Sequence, residues 1–270
     1  MPNKNVLLLD GYNLLYRARS GFYQGDNPIV YNFFRSFRVL VEKFNPDKVY
    51  FVLEGKPKKR AEMFGEYKSQ RKYHDRDNFQ AQKRTILDLL KNYFPVEVVR
   101  HPDYECDDIV AGLATKKHAD DTCVIVSSDT DFLQIYEDKT HNTKVYNPVK
   151  KKFVFPPCES YLKFKALTGD ASDNIPGFKG VGQKTALKLT ENSSLFEDFL
   201  SKDDNRQRYD KNYTLIKFHD VEAALSELEC SSPVLDWDNV KSTFEDFKFA
   251  SITNDKSWNK FVTTFDNLCS

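Results

Sequence analysis

Residues Asn5-Val6-Leu7-Leu8-Leu9-Asp10-Gly11 carry a short apolar run that stops at an acid and a glycine. A run this short, apolar without alternation, reads as a strand buried on both faces, with Asp10-Gly11 as its exit turn. The same pattern returns at Val49–Leu53 before Glu54-Gly55, at Val96–Val99, and at Cys123–Val126 before Ser127-Ser128-Asp129. Helical patterns lie between these runs. Tyr31, Phe34, Phe37, Val41 and Phe44 share one stripe, closed by Asn45-Pro46, where the residue before proline disfavours helix. Ile86, Leu89, Leu90 and Tyr93 mark a second helix, and Asp107 to Lys117 a third. Buried strands alternating with helices give an α/β class: a central, mostly parallel sheet flanked by helices. From about residue 156 helical patterns take over, at Tyr161–Leu167, Lys184–Leu189, Leu195–Leu200, Tyr209–Phe218, Val240–Phe247 and Trp258–Phe265. The expected division is an α/β body over 1–155 and a helical region over 156–270 packed on it, since 144–180 contains no Gly/Ser linker.

The 40 basic and 40 acidic residues among 270 cancel, which at first argues against a nucleic-acid binder. Their distribution argues otherwise. Eleven basic and five acidic residues lie in 56–91, and nine basic against three acidic in 144–188. The intervening 101–143 has three basic and ten acidic residues, and 189–270 has nine basic and sixteen acidic. Opposed blocks create local potentials whatever the total. The 22 Phe and 14 Tyr exclude a disordered chain. No apolar run approaches the length of a membrane span, and the start shows no signal-peptide pattern, so a cytoplasmic setting (the host's, for a viral protein) is expected. The five cysteines show neither zinc spacing nor a CxxC pair, which suits free thiols in a reducing compartment.

Acids collect at the predicted strand ends: Asp10, Glu54, Asp129 and, two positions on, Asp131. Each alone is ordinary turn chemistry. Together, at the carboxyl edge of an open sheet where ligands bind, they repel one another unless cations neutralise them, and oxygen donors suit Mg²⁺ or Mn²⁺. Glu105, Asp107 and Asp108 add three acids in four residues, more than helix capping uses, with Glu105 and Asp108 on one face. Asp170 and Asp173 contribute two more from a loop-like segment.

The set Asp10-Gly11, Tyr104-Glu105-Cys106-Asp107-Asp108, Ser128-Asp129-Thr130-Asp131 and Thr168-Gly169-Asp170-Ala171-Ser172-Asp173-Asn174-Ile175-Pro176-Gly177 resembles the 5′ nuclease family of flap endonucleases and 5′→3′ exonucleases, in the right order over about residues 5–190. The resemblance implies a PIN-like nuclease core with a helical arch at about 55–82 and a C-terminal helix–turn–helix-type DNA-binding region. It also implies two divalent ions and hydrolysis of phosphodiesters near 5′ ends of branched, flapped or nicked DNA. By the same resemblance Asp10, Glu105 and Asp107 are ligands of the first ion, and Asp108, Asp129, Asp131, Asp170 and Asp173 lie around the second. Glu54 stands where the family commonly has Asp.

The excursion 56–82 mixes basic residues (Lys56, Lys58, Lys59, Arg60, Lys68, Arg71, Lys72, Arg76) with Phe64, Tyr67 and Tyr73, a combination that suits single-stranded nucleic acid, although a solvated charged loop reads the same way. Tyr67-Lys68-Ser69-Gln70-Arg71 resembles the family's Tyr-Lys-x-x-Arg segment at the arch base. That implies phosphate contacts and charge stabilisation for Lys68 and Arg71, and stacking for Tyr67. Tyr16 and Arg17 fall where the family contacts substrate near the cleaved nucleotide. Gly177-Phe178-Lys179-Gly180-Val181-Gly182-Gln183-Lys184-Thr185 is neither a P-loop nor a dinucleotide fingerprint, but a glycine-rich turn opening a helix binds phosphate. It resembles the family's duplex grip, implying DNA contacts from Gly180, Gly182, Lys184 and Thr185 and a monovalent cation, K⁺, at the turn carbonyls. The acidic, aromatic tail is expected to cover the far side, with Trp237, Trp258 and Phe261 in the core.

The leading expectation is a metal-dependent 5′→3′ exonuclease and flap endonuclease, monomeric, acting with replication proteins such as a single-strand binding protein. RNA–DNA hybrids and RNA primers are a further substrate class. A related ribonuclease acting on RNA primers and a catalytically impaired branched-DNA binding protein are the alternatives. The eight matched acids besides Glu54 speak against the last.

Overall fold

The computed structural model describes residues 3–269 except 24, 70–75 and 203. Seven strands form one sheet: β1 (Asn5–Asp10), β2 (Lys48–Leu53), β3 (Glu97–Arg100), β4 (Thr122–Val126), β5 (Asn142–Asn147), β6 (Lys152–Val154) and, last in the chain, β9 (Glu229–Cys230). A two-stranded piece pairs β7 (Gly169–Asp170) with β8 (Ile175–Pro176). The order across the sheet is β6-β5-β4-β1-β2-β3-β9, with β5 through β3 parallel and the two edge strands antiparallel. The body's helices are α1 (Gly11–Arg19), α2 (Pro28–Phe44), α3 (Lys58–Met63), α4 (Arg76–Tyr93) and α5 (Cys106–Gly112). There follow α6 (Tyr161–Thr168), α7 (Gln183–Glu191), α8 (Ser193–Leu200), α9 (Asn205–Ile216), α10 (Trp237–Asp246), α11 (Ala250–Thr253) and α12 (Asp255–Thr263).

The continuous apolar runs are buried on both faces, as their composition requires. Leu7, Leu9, Val49, Phe51 and Val98 face one core, with Phe34, Phe37 and Phe94. Val6, Leu8, Tyr50, Val52 and Ile125 face the other, with Ile109, Leu113, Phe164 and Leu167. The tail closes the first core. Phe244, Phe249, Phe261 and Phe265 are buried there, and Trp237 meets Phe94 edge-on at 5.3 Å, each aromatic adding substantial apolar burial. Trp258, partly buried, stacks on Phe261.

The strands at 142–147 and 152–154 and the edge strand at 229–230 carry no buried apolar run, so nothing in the sequence marks them: β5 is Asn-Thr-Lys-Val-Tyr-Asn, and both residues of β9 are exposed. Helix α1 also escapes the periodic reading, because it begins directly on Gly11, where a turn was expected. The anticipated helix to Lys117 is α5 followed by a wider π-turn at Leu113–Lys117. Among the described residues no helix is long and apolar enough to cross a membrane.

The parallel strands deliver their carboxyl ends to one edge. Between β1 and β4 the order reverses, since the chain runs outward through β2 and β3 on one side and through β5 on the other. An open α/β sheet forms its ligand crevice at such a point. Asp10 ends β1, and Ser127-Ser128-Asp129 follows β4 beside it.

Candidate functional site

A cleft of about 1440 Å³ opens at this reversal. Its floor carries Asp10, Glu54, Asp107 and Asp129 together with Lys68, and its walls continue to Tyr16, Arg17, Arg35, Lys43 and Lys151.

Local structure fixes the acids individually. Asp10 caps α1, accepting from the Asn13 amide at 3.1 Å, and its second oxygen accepts from Ser127 Oγ at 2.7 Å. Asn13 and Ser128 exchange two hydrogen bonds, tying the first turn of α1 to the exit of β4. Burial pushes Asp10 up to about 6, against the pull of those donors. Glu54 follows β2 and accepts from the Cys106 amide at 3.2 Å. Burial raises it to about 7, opposed by Lys68 and assisted by Glu105 and Asp10. Burial and then the neighbouring Glu54, Glu105 and Asp108 carboxylates raise Asp107 well above the carboxylate range, against the pull of Lys68.

Glu105 is out of water and takes three donors. Arg60 Nη1 lies 2.5 Å away, Tyr67 Oη 3.1 Å, and the Lys68 ammonium contacts its other oxygen. Lys68 also faces Asp173 at 3.7 Å and Glu54 at 4.0 Å. Burial disfavours its charge, but Asp107, Glu105, Asp173 and Glu54 outweigh that and hold it above the usual lysine range. Lys68 adopts a left-handed backbone (φ 55°), and its amide donates to the Asp173 carbonyl. Asn174 reaches back to the Glu66 carbonyl, so the 65–69 turn is seated on the 173–174 loop.

A second node lies on the β4 side. Asp131 and Asp170 share Lys165, with Nζ 2.8 Å from Asp131 Oδ1 and 2.6 Å from Asp170 Oδ2. Burial pushes Asp131 up to about 7 in spite of Lys165. Burial also works against the Asp170 charge, but Lys165 and Ser172 outweigh it and hold that carboxyl below its usual range.

Among the expected residues, Asp108 and Tyr67 are held by other side chains of the protein. Asp108 is turned away from the cleft and its oxygens are committed to Arg60 and to the His219 amide. Tyr67 is buried, its hydroxyl shared by Glu105 and Asp173, so its ring is no surface for a base. Tyr16 is exposed and stacked on Phe79 at 5.0 Å, beside Arg17 in the cleft. Gly180, Gly182, Lys184 and Thr185 form an exposed turn and the uncapped N-terminus of α7. Gly180 has φ +79°, a backbone that favours glycine. Arg71 and the rest of 70–75, including Lys72 and Tyr73, lie outside the described residues, and so does that part of the expected arch.

Two residues that hold the acids were not singled out as such. Arg60 belongs to the basic run read as suited to single-stranded nucleic acid or as a solvated loop, yet it is 2% exposed. Lys165 lies in Leu162-Lys163-Phe164-Lys165-Ala166-Leu167, just before the Asp170 loop; Lys163 is exposed and Lys165 buried, and the sequence does not tell the two apart.

The donor set fits hard divalent cations. It is built of carboxylates without His, several of them driven toward the protonated form by burial, and Asp131 Oδ1 is buried with Lys165 as its one partner among the described residues. Among the described residues no three such side chains converge closely enough to hold an ion as they stand. Lys68, Lys165 and Arg60 are interposed, as mutual repulsion of carboxylates demands.

A model of the 5′-3′ exonuclease N-terminal resolvase-like domain matches residues 5–163, more than half the chain, and one of the 5′-3′ exonuclease C-terminal SAM fold matches 156–245. The chain belongs to the 5′-3′ exonuclease family. Among relatives of this exonuclease-family chain, a 5′-3′ exonuclease of Aquifex aeolicus is 28% identical over 280 residues, 92% of this chain and 94% of that protein. The thermostable DNA polymerase I of Thermus filiformis is 34% identical over 212 residues, 74% of this chain but 25% of the polymerase, so the chain spans about a quarter of those longer relatives. The bacteriophage T5 flap endonuclease, solved as a pseudo-enzyme–product complex with DNA and metal ions, shares the fold with a TM-score of 0.61 at 18% identity, covering 98% of this chain and all of that one. The catalytic core of Rad2 with DNA substrate gives 0.59 at 17%, covering 97% and 92%.

Proposed function

We propose that this exonuclease-family chain is a divalent-metal-dependent 5′→3′ exonuclease and structure-specific flap endonuclease acting near 5′ ends of branched or nicked DNA, with RNA–DNA hybrids as a further substrate class. One observation carries the reading. One cleft begins at the half-buried acids Asp10, Glu54 and Asp107 on the sheet's reversal point and continues along the basic side chains Arg17, Arg35, Lys43 and Lys151. A phosphate backbone follows such cations, and the acids stand where a scissile bond would lie.

Asp10, Glu54, Glu105 and Asp107 would hold one ion, and Asp129, Asp131, Asp170 and Asp173 the other. Asp108, saturated by Arg60, is left out of the set. Bound there, two Mg²⁺ or Mn²⁺ supply the charge that favours attack of water and departure of the leaving oxygen. Lys68 places its ammonium at the cleft floor, where it offsets charge developing on a phosphoryl group. Tyr16 offers an exposed ring for the nucleobase beside the cut. The Gly180–Thr185 turn, with K⁺ at its carbonyls, holds one strand of the duplex. The T5 and Rad2 relatives were solved with DNA, which supports a DNA partner for this chain as well.

Digestion of 5′-labelled flap, nicked-duplex and RNA-primed substrates with Mg²⁺ tests the reading. Expected are short 5′ products in Mg²⁺, none in EDTA, and none from Asp129→Asn or Asp173→Asn although both variants still bind the flap. Turnover in EDTA, or normal turnover in either variant, would refute it.

A further inference from the structure

Lys165 stands in the last turn of α6, 8% exposed, with its ammonium between two carboxylates from different elements: Asp131, after β4, and Asp170, in β7. The two acids are not equally satisfied. Asp170 Oδ1 also accepts from the Ser172 amide at 2.8 Å and the Ser172 hydroxyl at 2.6 Å. Asp131 Oδ1 is buried, and Lys165 Nζ at 2.8 Å is its one partner among the described residues. An oxygen out of water whose one partner is a monovalent ammonium retains affinity for a more highly charged cation.

We propose that Lys165 is a built-in competitor for the second divalent ion: its ammonium keeps Asp131 and Asp170 together in the ion-free protein, and the ion binds there by displacing it. An ammonium and a divalent cation close to the same two carboxylates repel strongly in so buried a place, so the two occupy the node in turn. The lysine thereby weakens the second ion. This rests on the two-ion reading above.

Calorimetric titration of Mn²⁺ and of Ca²⁺ into the DNA-free chain tests it, using the unaltered protein, Lys165→Met and Lys165→Arg, with Asp10→Asn marking the first ion. The unaltered protein should take two ions, of which Asp10→Asn weakens the first. Lys165→Met should bind the second at least tenfold more tightly, and Lys165→Arg should leave it weak. In EDTA, Lys165→Met should melt lower than the unaltered chain, because it leaves the acid pair uncompensated, and Ca²⁺ should raise its Tm more. If Lys165→Met does not fold in EDTA, recovery of its circular dichroism by Ca²⁺ supports the displacement, and failure to recover overturns it. Unchanged or weaker second-ion affinity in Lys165→Met would overturn it too. If none of the proteins binds a divalent ion, the two-ion reading itself fails and this inference falls with it.

Discussion

Arg60 and Asp108 share two parallel hydrogen bonds, of 2.7 and 2.9 Å, with both side chains out of water. The same guanidinium reaches Glu105 at 2.5 Å and the carbonyls of Leu215 and Lys217 at 2.9 and 3.1 Å. One side chain thus joins α3, the acids of α5 and the end of α9. Removing it leaves buried Asp108 without a counter-charge and buried Glu105 with Lys68 alone. Arg60→Ala is expected to destabilise the chain by about 3–5 kcal/mol in urea unfolding. Arg60→Lys should not restore it, because an ammonium lacks the planar fork. A loss below about 1 kcal/mol would show that the network is not structural.

Tyr67 separates two roles for one residue. As a base-stacking ring it would tolerate Phe; as the hydroxyl that bridges Glu105 and Asp173, it would not. Hydrogen bonds to charged groups contribute about 1.5–3 kcal/mol. Tyr67→Phe should therefore raise the Mg²⁺ concentration needed for half-maximal cleavage while flap affinity in Ca²⁺ stays within twofold. An unchanged metal requirement together with unchanged flap affinity would return Tyr67 to a stacking role.

Asp10, raised to about 6, and Glu54 and Asp131, each raised to about 7, give the ion-free protein a pH signature. Unfolded carboxyls titrate near 4. Between pH 4 and 7 the folded chain therefore holds more protons than the unfolded one, and stability falls as pH rises through that window. The stability these groups contribute is complete below about pH 4 and lost above about 7. Asp10 alone accounts for at most about 3 kcal/mol of the fall. Urea midpoints in EDTA at pH 5 and 7.5 should drop for the unaltered chain and drop less for Asp10→Asn. Equal drops in the two would reject the buried-acid account of Asp10.

The sequence exposes what is driven by burial and hides what is driven by pairing. Leu7-Leu8-Leu9 and Val49–Leu53 announce central strands because a sheet covered on both faces leaves no polar position. Asn142–Asn147 joins the same sheet through backbone bonds to β4, which no side-chain pattern records. The acids were visible as residues, since chain order and strand ends bring Asp10 and Asp129 to adjacent strands. Their counter-charges were not. Arg60 reads like Lys58 and Lys59 beside it, and only the three-dimensional path of α9 gives it two carbonyls to fill. Lys165 reads like Lys163 two residues before it, and only the fold sets it between Asp131 and Asp170.

Lys184 makes the last test. It is exposed on the first turn of α7, whose N-terminal amides have no side-chain cap, behind a Gly180–Gly182 turn with open space where side chains would otherwise project. A duplex phosphate approaching that turn meets free N–H groups, the positive end of the helix dipole and one mobile ammonium. Losing one such contact removes roughly one released counterion. Lys184→Ala should weaken binding to nicked duplex and reduce the slope of log K against log salt by about 0.9, with single-turnover cleavage at saturating enzyme unchanged. An unaltered salt slope would mean that Lys184 faces solvent in the complex and that the duplex is held elsewhere. A slower saturated rate with unaltered affinity would move the turn's role from grip to alignment of the scissile bond.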